Sequence, residues 1–244
     1  MRTQRVYTDQ PLESGDQITL EEAPSHHLHH VLRLQAGDNI NLFNNSGAEY
    51  AACLGKIGKQ GVTAILGERV AEEPDPKLAI HLLIGISRGE RMDFALQKAT
   101  ELGVTRITPI FTKRCVVKLN EKKQVSRMAH WRKIIINACE QSGRCHLPTL
   151  DTSLEVGSAI MQHNAGSALL LDHRIDRPLS ALEKPNEIVT ILVGPEGGLS
   201  AEERQLAKAQ GFIGIRLGPR VMRTETAPLA AISAIQTLWG DFAG

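Results

Sequence analysis

Two loops near the C-terminus contain the residues of this chain best suited to chemistry. Each follows an apolar run that ends in Gly-Pro: IVTILVGPEGGLS covers 188–200, and FIGIRLGPRVMRTETAP covers 212–228. Glycine allows backbone conformations closed to other residues, and it lets a ligand approach the main chain. In open α/β sheets, ligand clefts lie at the carboxyl ends of the strands. The two loops therefore predict a cleft lined largely by main chain.

The first of these loops, residues 194–198, is called the glycine loop below, and its residues alone allow three interpretations. It can bind a cofactor through its amides, cradle a phosphate, or simply turn from a strand into a helix capped by Ser200. A Walker-type phosphate loop needs a lysine directly after its last glycine, whereas this chain has Leu199 there. Ser200 and Glu203 form a capping-box pattern, which predicts that a helix begins at this point. On the residues alone, the structural turn is favoured.

The second loop, residues 217–225, is called the arginine loop. Thr226 is the predicted N-cap of the helix that follows, and Pro228 is tolerated in a first helical turn. These features predict a loop-to-helix junction. They do not explain why Arg220, Arg223 and Glu225 crowd a turn between two apolar elements.

Two further groups of polar residues are candidates for binding. Arg88 and Arg91 flank a glycine, an arrangement suited to phosphate or base-edge contacts, although it also fits an ordinary strand-to-helix turn. Asn137, Glu140 and Arg144 have the spacing that places them on one face of a helix. That polar stripe is either functional or a solvated edge.

A metal site is not predicted. His26, His27, His29 and His30 have usable helical spacings, but no cysteine lies nearby to complete a ligand set. A surface cluster is the favoured interpretation. The four cysteines show no CxxC pair, so free thiols in a reducing compartment are expected.

Length and composition indicate a globular protein without a membrane span. The 244 residues can form one large domain or two smaller ones, and no run of about 18 apolar residues predicts a membrane span. The N-terminus lacks the apolar segment of a signal peptide, so a cytoplasmic location is expected.

Net charge is −5 over residues 1–76, +9 over 77–149 and −3 over 150–244. The basic middle block is either a polyanion-binding surface or a solvated helix face.

The chain divides into two patterns. Short strands separated by turn residues fill 1–72 and predict a small β-barrel, interrupted by one helix with Ser25 as its N-cap. Residues 71–76 have the composition of an acidic linker. Beyond them, alternating segments predict an α/β domain with a mainly parallel sheet. The predicted strands are 78–86, 104–112, 167–172, 188–193 and 212–217, and the predicted helices are 90–102, about 121–142, 200–210 and 226–239.

These motifs together resemble those of the SPOUT superfamily of RNA methyltransferases, and in particular its RsmE family. GPEGG followed by LGPRVMRTETA is the most specific part of the resemblance. SRGERM at 87–92, KATELGV at 98–104, ACEQSGR at 138–144 and HVLR at 30–33 extend it over nearly the whole chain. The resemblance implies a PUA-like RNA-binding β-barrel over 1–72 and a SPOUT methyltransferase domain over 77–244. It also implies a trefoil knot within roughly 165–244.

The resemblance also implies an activity, which is methylation of N3 of a uridine in 16S ribosomal RNA, with S-adenosylmethionine as the cofactor. The expected partners are 16S ribosomal RNA or the small ribosomal subunit, and a second copy of the chain in a homodimer; no membrane is involved. Expected cofactor-binding residues are Leu171, Gly194, Pro195, Glu196, Gly197, Gly198, Leu217, Gly218 and Met222.

The chemistry of uridine N3 suggests roles for the remaining residues. N3 carries a proton, so the site must stabilise an imide anion and accept that proton. We expect Arg223 to stabilise the charge and Glu225 to take the proton. Expected RNA-binding residues are Arg88, Arg91, Asn137, Glu140 and Arg144. Two alternatives remain open: an RNA-binding ribosome-assembly factor without significant catalysis, and a nucleotide hydrolase, which the missing Walker lysine disfavours.

Overall fold

The computed structural model describes residues 3–58, 60–116, 121–163 and 166–243. It divides into two compact units. The first unit contains residues 1–75 and 136–147, and the second contains 76–135 and 148–244. The first unit is therefore discontinuous in sequence.

A five-stranded sheet forms the first unit. Its strands are β1 (Gln4–Tyr7), β2 (Gln17–Thr19), β3 (Asn39–Phe43), β4 (Ala48–Gly58) and β5 (Gly61–Glu72). Their order across the sheet is β1-β3-β4-β5-β2; β1 and β3 are parallel and the other pairs are antiparallel. Alternate residues of β3 and β4, including Ile40, Leu42 and Leu54, are buried in an aliphatic core. This inward alternation is what the period-2 pattern of a half-buried strand requires.

Two predictions for this unit are wrong in detail. The helix α1 (Glu22–His26) begins after Glu21, so Ser25 is not its N-cap. The hydroxyl of Ser25 is buried instead, donating to the carbonyl of Leu20 and accepting the N–H of Val62. The acidic segment 71–76 is not simply a linker, because β5 extends to Glu72 and Glu73 accepts the N–H of His146 at 2.7 Å.

The second unit contains one parallel sheet with helices between its strands. The strands are β6 (Ala79–Gly85), β7 (Arg106–Phe111), β8 (Thr149–Leu150), β9 (Leu154–Glu155), β10 (Ser167–Leu171), β11 (Ile188–Val193) and β12 (Ile213–Ile215). The helices are α2 (Gly89–Glu101), α3 (Glu121–Ser142), α4 (Val156–Met161), α5 (Ala201–Ala209) and α6 (Thr226–Trp239). The last residues of α3, from 136 onward, belong to the first unit.

The strand order β12-β10-β11-β6-β7-β8, with β9 beside β7, confirms the predicted α/β class with a mainly parallel sheet. Strands such as β6 and β11 are almost continuously buried, as expected for a parallel sheet that is covered on both faces. Because every pair is parallel, the carboxyl ends of β10, β11, β12 and β6 meet at one edge. The glycine loop and the arginine loop leave the sheet there.

The helices that follow these loops begin in different ways. α5 has the predicted capping box: the Ser200 hydroxyl accepts the N–H of Glu203, whose carboxylate accepts the N–H of Ser200. α6 has Glu225 as its N-cap residue and no side-chain cap, so the prediction of Thr226 as the N-cap is wrong. The elements missed from the sequence, β1, β8, β9 and α4, are all six residues or shorter. Across the described residues, no helix is both long and apolar enough to span a membrane.

Candidate active site

A cleft of about 440 Å³ lies at the carboxyl edge of the sheet in the second unit. Its walls come from the ends of β10, β11 and β12 and from the two loops defined above. Eight of the nine predicted cofactor-binding residues line it: Leu171, Gly194, Pro195, Glu196, Gly197, Gly198, Leu217 and Met222. The ninth, Gly218, lies in the arginine loop, where it is exposed and has a left-handed φ of +74°. The structure therefore brings together residues from three segments of the chain, which begin at Leu171, Gly194 and Leu217.

Close backbone contact fixes the glycine loop against the sheet. A Cβ built on Gly85, at the end of β6, would lie only 2.3 Å from the nitrogen of Pro195. A Cβ on Gly194 would lie 2.9 Å from the backbone of Gly198 and Leu199. Side chains at these two positions would displace main chain, which cannot yield cheaply. The two glycines thus explain how the loop folds back on the strand ends.

Two hydroxyl groups join the loops to β6. The Thr224 hydroxyl donates to the carbonyl of Gly194 at 2.9 Å and lies 3.3 Å from the Ser87 hydroxyl. Ser87 donates in turn to the carbonyl of Gly85 at 3.2 Å. Sequence reasoning assigned no role to Ser87 or Thr224, although both lie inside the motifs quoted above. The only sequence signal for either of them is a small hydroxyl residue inside a glycine-containing motif.

Two arginines of the arginine loop face the cleft with their charges uncompensated. Arg220 and Arg223 both line it and are exposed. Among the residues that the structure describes, neither guanidinium has a hydrogen-bond or ion-pair partner. Glu225 is not one of the lining residues; its Oε2 is buried and has no hydrogen-bond partner in the described chain. The cleft therefore offers fork-shaped cationic donors to a ligand.

An acidic residue on the wall of the cleft is neutralised locally. Asp172, directly after β10, is buried and lies 3.2 Å from the guanidinium of Arg174 and 3.4 Å from that of Arg204. Arg204 also donates to the carbonyl of Leu199 at 2.6 Å, which ties α5 to the end of the glycine loop. Asp172 therefore does not cancel the charge of the arginine loop.

The glycine loop also contacts the start of α2 through Glu196. Its carboxylate accepts the main-chain N–H of Arg88 at 3.1 Å and lies 3.4 Å from the guanidinium of Arg91. Burial raises the pKa of Glu196, but main-chain hydrogen bonds and the charges of Arg91 and Arg88 outweigh burial and hold this pKa below its usual value. Glu196 is thus ionised at neutral pH and places both arginines beside the mouth of the cleft.

The predicted polar stripe of α3 lies in the first unit. Asn137 is exposed, but Glu140 accepts the N–H of Tyr7 at 3.0 Å, and Arg144 lies 3.5 Å from Glu73. Burial raises the pKa of Glu140, opposed by the hydrogen bond from Tyr7. Two of the three side chains therefore have internal partners, and an RNA contact for any of the three stays a prediction.

A second polar cluster lies near the amino ends of β6 and β7, away from the cleft edge. His81 Nε2 is 2.7 Å from the Thr108 hydroxyl, which also bonds to Asp151. Arg106 pairs with Asp151 through two nitrogens, at 2.8 and 3.2 Å. Burial, reinforced by the charge of Arg106, lowers the pKa of His81 to about 4, with Asp151 opposing. His81 is therefore neutral at pH 7.

Comparison with known families identifies the class of protein that this fold and cleft define. The sequence profile of the family described as "RNA methyltransferase domain" matches residues 73–236, and that of "RNA methyltransferase PUA domain" matches residues 20–67. These two matches agree with a parallel α/β unit that carries the cleft and a separate β unit. The class is that of the RNA methyltransferases with an attached PUA domain.

Individual relatives narrow the class to a family. The chain is 31% identical to ribosomal RNA small subunit methyltransferase E of Buchnera aphidicola over 98% of its own length and 94% of the relative's. The enzyme of that name from Neisseria gonorrhoeae, solved bound to S-adenosyl methionine, is 37% identical with a TM-score of 0.91, covering 99% of this chain and 100% of that one. A methyltransferase from Legionella pneumophila, solved with bound SAM, is 36% identical with a TM-score of 0.95 and the same coverage. The chain belongs to the ribosomal RNA small subunit methyltransferase E family.

Proposed function

We propose that this chain transfers a methyl group from S-adenosylmethionine to N3 of a uridine in 16S ribosomal RNA. The observation that carries the proposal is the cleft itself, in which a glycine loop and unpaired arginines meet at the carboxyl edge of a parallel sheet. The relatives that were solved with this cofactor bound support the choice of ligand.

The residues of the cleft fit this cofactor. Leu171, Val193, Ile215 and Leu217 form an apolar wall suited to an adenine ring, and the glycine loop exposes main chain for hydrogen bonds. Cationic side chains that also line the cleft can pair with the carboxylate of the methionine portion. The cleft volume of about 440 Å³ is within the range of small-molecule sites.

The protein contributes positioning and charge stabilisation to the reaction. S-adenosylmethionine, when bound, supplies an activated methyl group. The protein must hold the uracil ring so that N3 is directed at that group, and it must stabilise the negative charge left when the N3 proton departs. Arg223 donates to O2 or O4, because its guanidinium faces the cleft without a partner. Glu225, two residues later with one unpartnered carboxylate oxygen, is the proposed proton acceptor.

RNA is held by basic residues near the cleft. Arg88 and Arg91 lie at the mouth through their contacts with Glu196, so they are well placed for phosphates that flank the reacting base. Asn137, Glu140 and Arg144 remain proposed RNA contacts, together with the basic block of 77–149. The partner is 16S ribosomal RNA or the small subunit, and the cytoplasm is the proposed location.

We infer a closed PUA-like barrel in 1–72, a SPOUT domain in 77–244 and a trefoil knot within roughly 165–244. The strand order requires only that the connection from β11 to β12 crosses over β10, so the knot rests on the resemblance to the SPOUT superfamily. A homodimer is supported by exposed apolar side chains in the second unit: Phe94 is 46% exposed, Val221 72% and Leu238 47%.

Reverse transcription of methylated RNA tests the proposed specificity. N3 lies on the Watson–Crick edge of uracil, so methylation there blocks base pairing and stops the polymerase. Small subunits and naked 16S ribosomal RNA from cells lacking the gene are incubated with the protein and S-adenosylmethionine, and stops are then mapped. We expect one cofactor-dependent stop at a uridine, which mass spectrometry of that nucleoside identifies as N3-methyluridine. Methylation at another atom would overturn the specificity, and cofactor-independent RNA binding without methylation would favour the assembly-factor alternative.

A further inference from the structure

A row of polar side chains crosses the parallel sheet of the second unit near its amino edge. Thr190 on β11 is paired with His81 on β6, and His81 is paired with Arg106 on β7. Because paired residues of neighbouring strands project from the same face of a sheet, the three side chains lie next to one another. Strands of a parallel sheet that is covered on both faces are normally apolar, so this polar row is a departure that needs a reason.

A cavity of about 420 Å³ lies over this row. The row and Thr108 give it polar groups, and apolar side chains also line it: Leu83, Leu154, Ala159 and Ile188. All of its lining residues belong to the second unit, and none of them lines the cleft at the carboxyl edge. It is therefore a separate cavity, with the volume and the mixed lining of a small-molecule site.

The hydrogen bonds around His81 fix the position of its proton. The Thr108 hydroxyl donates to the carboxylate of Asp151, so the Thr108 oxygen accepts the N–H of His81 Nε2, which lies 2.7 Å away. Burial and the charge of Arg106 lower the pKa of His81 to about 4, so the ring has this one proton at neutral pH. Nδ1 of His81 is then an acceptor, and it has no partner among the described residues.

Thr190 provides a second hydrogen-bonding group that is not used within the protein. The residue is 1% exposed, yet its hydroxyl makes no hydrogen bond to any residue that the structure describes. Buried hydroxyls are nearly always paired in native structures. Because Thr190 lines the cavity, a molecule bound there can supply the missing partner.

The balance of charge around the cavity favours an uncharged ligand. Arg106 donates to Asp151 through two nitrogens, at 2.8 and 3.2 Å, so these two charges neutralise each other. His81 is uncharged, and burial also lowers the pKa of His163 on the same wall. A molecule with flat apolar faces and a hydrogen-bonding edge matches such a lining, and a nucleobase has both.

We propose that this cavity binds an uncharged nucleoside whose base presents an N–H beside a carbonyl oxygen. The N–H donates to Nδ1 of His81, the carbonyl accepts the hydroxyl of Thr190, and the ring packs against the apolar side chains. Neighbouring strands are roughly 5 Å apart, so one edge of a base can reach both groups. The inference goes beyond the proposed methylation and does not depend on it.

Calorimetry with guanosine, on protein saturated with S-adenosylmethionine, tests the proposal. The cofactor occupies the cleft, and guanosine is used because uridine is the proposed substrate base. We expect a one-to-one complex with a Kd tighter than about 1 mM. 1-Methylguanosine, which lacks the N–H of the base, should bind roughly tenfold more weakly because it cannot donate to His81.

Two variants test the residues of the cavity. Thr190→Val keeps the shape of the side chain and breaks no internal hydrogen bond, so it should fold normally and weaken guanosine binding about fivefold, the scale of one neutral hydrogen bond. His81→Gln retains an N–H for Thr108 but loses the imidazole acceptor, and it should weaken binding by a similar factor. Thr237→Val, at a threonine of α6 that does not line the cavity, is the matched control and should bind guanosine as wild type does.

Three results would overturn the proposal. The first is the absence of saturable guanosine binding below about 1 mM. The second is wild-type affinity for guanosine in both cavity variants. The third is tighter binding of guanosine 5′-monophosphate than of guanosine, which would make Arg106 a phosphate site. Equal affinity of all variants for S-adenosylmethionine shows that they are folded, and it separates failure of the cavity from failure of the cleft.

Discussion

The two units use arginine in opposite ways. In the first unit, Arg5 is 6% exposed and all three guanidinium nitrogens donate: Nε to Glu49 at 2.9 Å, and the others to main-chain carbonyls of Cys139, Glu140 and Arg144. In the second unit, Arg223 is exposed in the cleft and its guanidinium has no partner among the described residues. A cation whose donors are all satisfied holds a fold together, whereas one left unsatisfied is available for a ligand.

Removing Arg5 should produce the largest effect on stability. Arg5→Ala leaves the Glu49 carboxylate buried without its cation, along with several unsatisfied carbonyls, and should lower the free energy of unfolding by about 3–5 kcal/mol. Urea unfolding, monitored by hydrogen exchange of amides in the first unit, measures the loss of free energy. Asn137→Ala, on the exposed face of α3, is the control and should cost little. A change under about 0.5 kcal/mol for Arg5→Ala would show that the network contributes no net stability.

Removing Arg223 should have the complementary effect, on rate rather than on stability. Arg223→Ala should lower the methylation rate by roughly 10²–10³-fold, which is the scale for losing one preorganised donor. Arg223→Lys should recover only part of the rate, because an ammonium cannot reproduce a planar fork of donors.

Single-turnover methylation at saturating RNA and cofactor, normalised to folded protein, is the measurement for Arg223. S-adenosylmethionine affinity should change much less than the rate. A near-wild-type rate combined with a lower melting temperature would show that Arg223, like Arg5, stabilises the fold and does not act on the substrate.

The partly buried His81 extends the comparison to a side chain that is uncharged in the folded protein at neutral pH. Its pKa is about 4 in the folded protein, below its ordinary value of 6.5. The unfolded chain therefore binds more protons between these values. Stability should be complete above pH 6.5 and should fall as the pH is lowered toward 4, by on the order of 2–3 kcal/mol.

Urea unfolding of wild type and His81→Asn from pH 7.5 to 4.5 measures this dependence. His81→Asn should remove most of the loss, and His130→Asn, at an exposed histidine, should retain it. Identical pH profiles for wild type and His81→Asn would show that the imidazole stays solvated.

The smallest predicted effect concerns the hydroxyl bridge between the loops. Thr224→Val preserves the shape of the side chain but leaves the carbonyl of Gly194 without its donor, at a cost of about 1–2 kcal/mol. Calorimetry should show S-adenosylmethionine binding roughly tenfold more weakly. Thr237→Val, on the exposed part of α6, is the matched control. Unchanged affinity would mean that the cleft does not depend on this bridge.

The sequence predicted the cleft far better than it predicted the network around Arg5. The apolar strands and glycine-marked loops predicted a cleft at the carboxyl edge of a parallel sheet, and the resemblance to the SPOUT superfamily supplied the residues expected to line it. Arg5 went unnoticed because its partners are up to 139 positions away, and nothing near it in sequence signals their approach.

Predictions from local sequence were also wrong where the side chain makes a tertiary contact instead of the predicted local one. Ser25 has the residue type of an N-cap, but its hydroxyl joins Leu20 to Val62 across the first unit. For Gly197, the sequence predicted one of two roles. A Cβ there would lie 2.9 Å from that of Arg114, so its small size serves packing of the glycine loop against the segment after β7 as well as access for a ligand.

The discontinuity of the first unit has a consequence for synthesis on the ribosome. Its β strands are complete once residue 75 has been made, but the carbonyls that satisfy Arg5 arrive only with residues 139–144. At about 5–20 residues per second, the nascent unit waits some 3–14 seconds with Glu49 as a partner for Arg5 but without the carbonyls that satisfy its other two nitrogens. The N-terminal region therefore cannot finish folding first, and the order of translation and the order of folding differ in this chain.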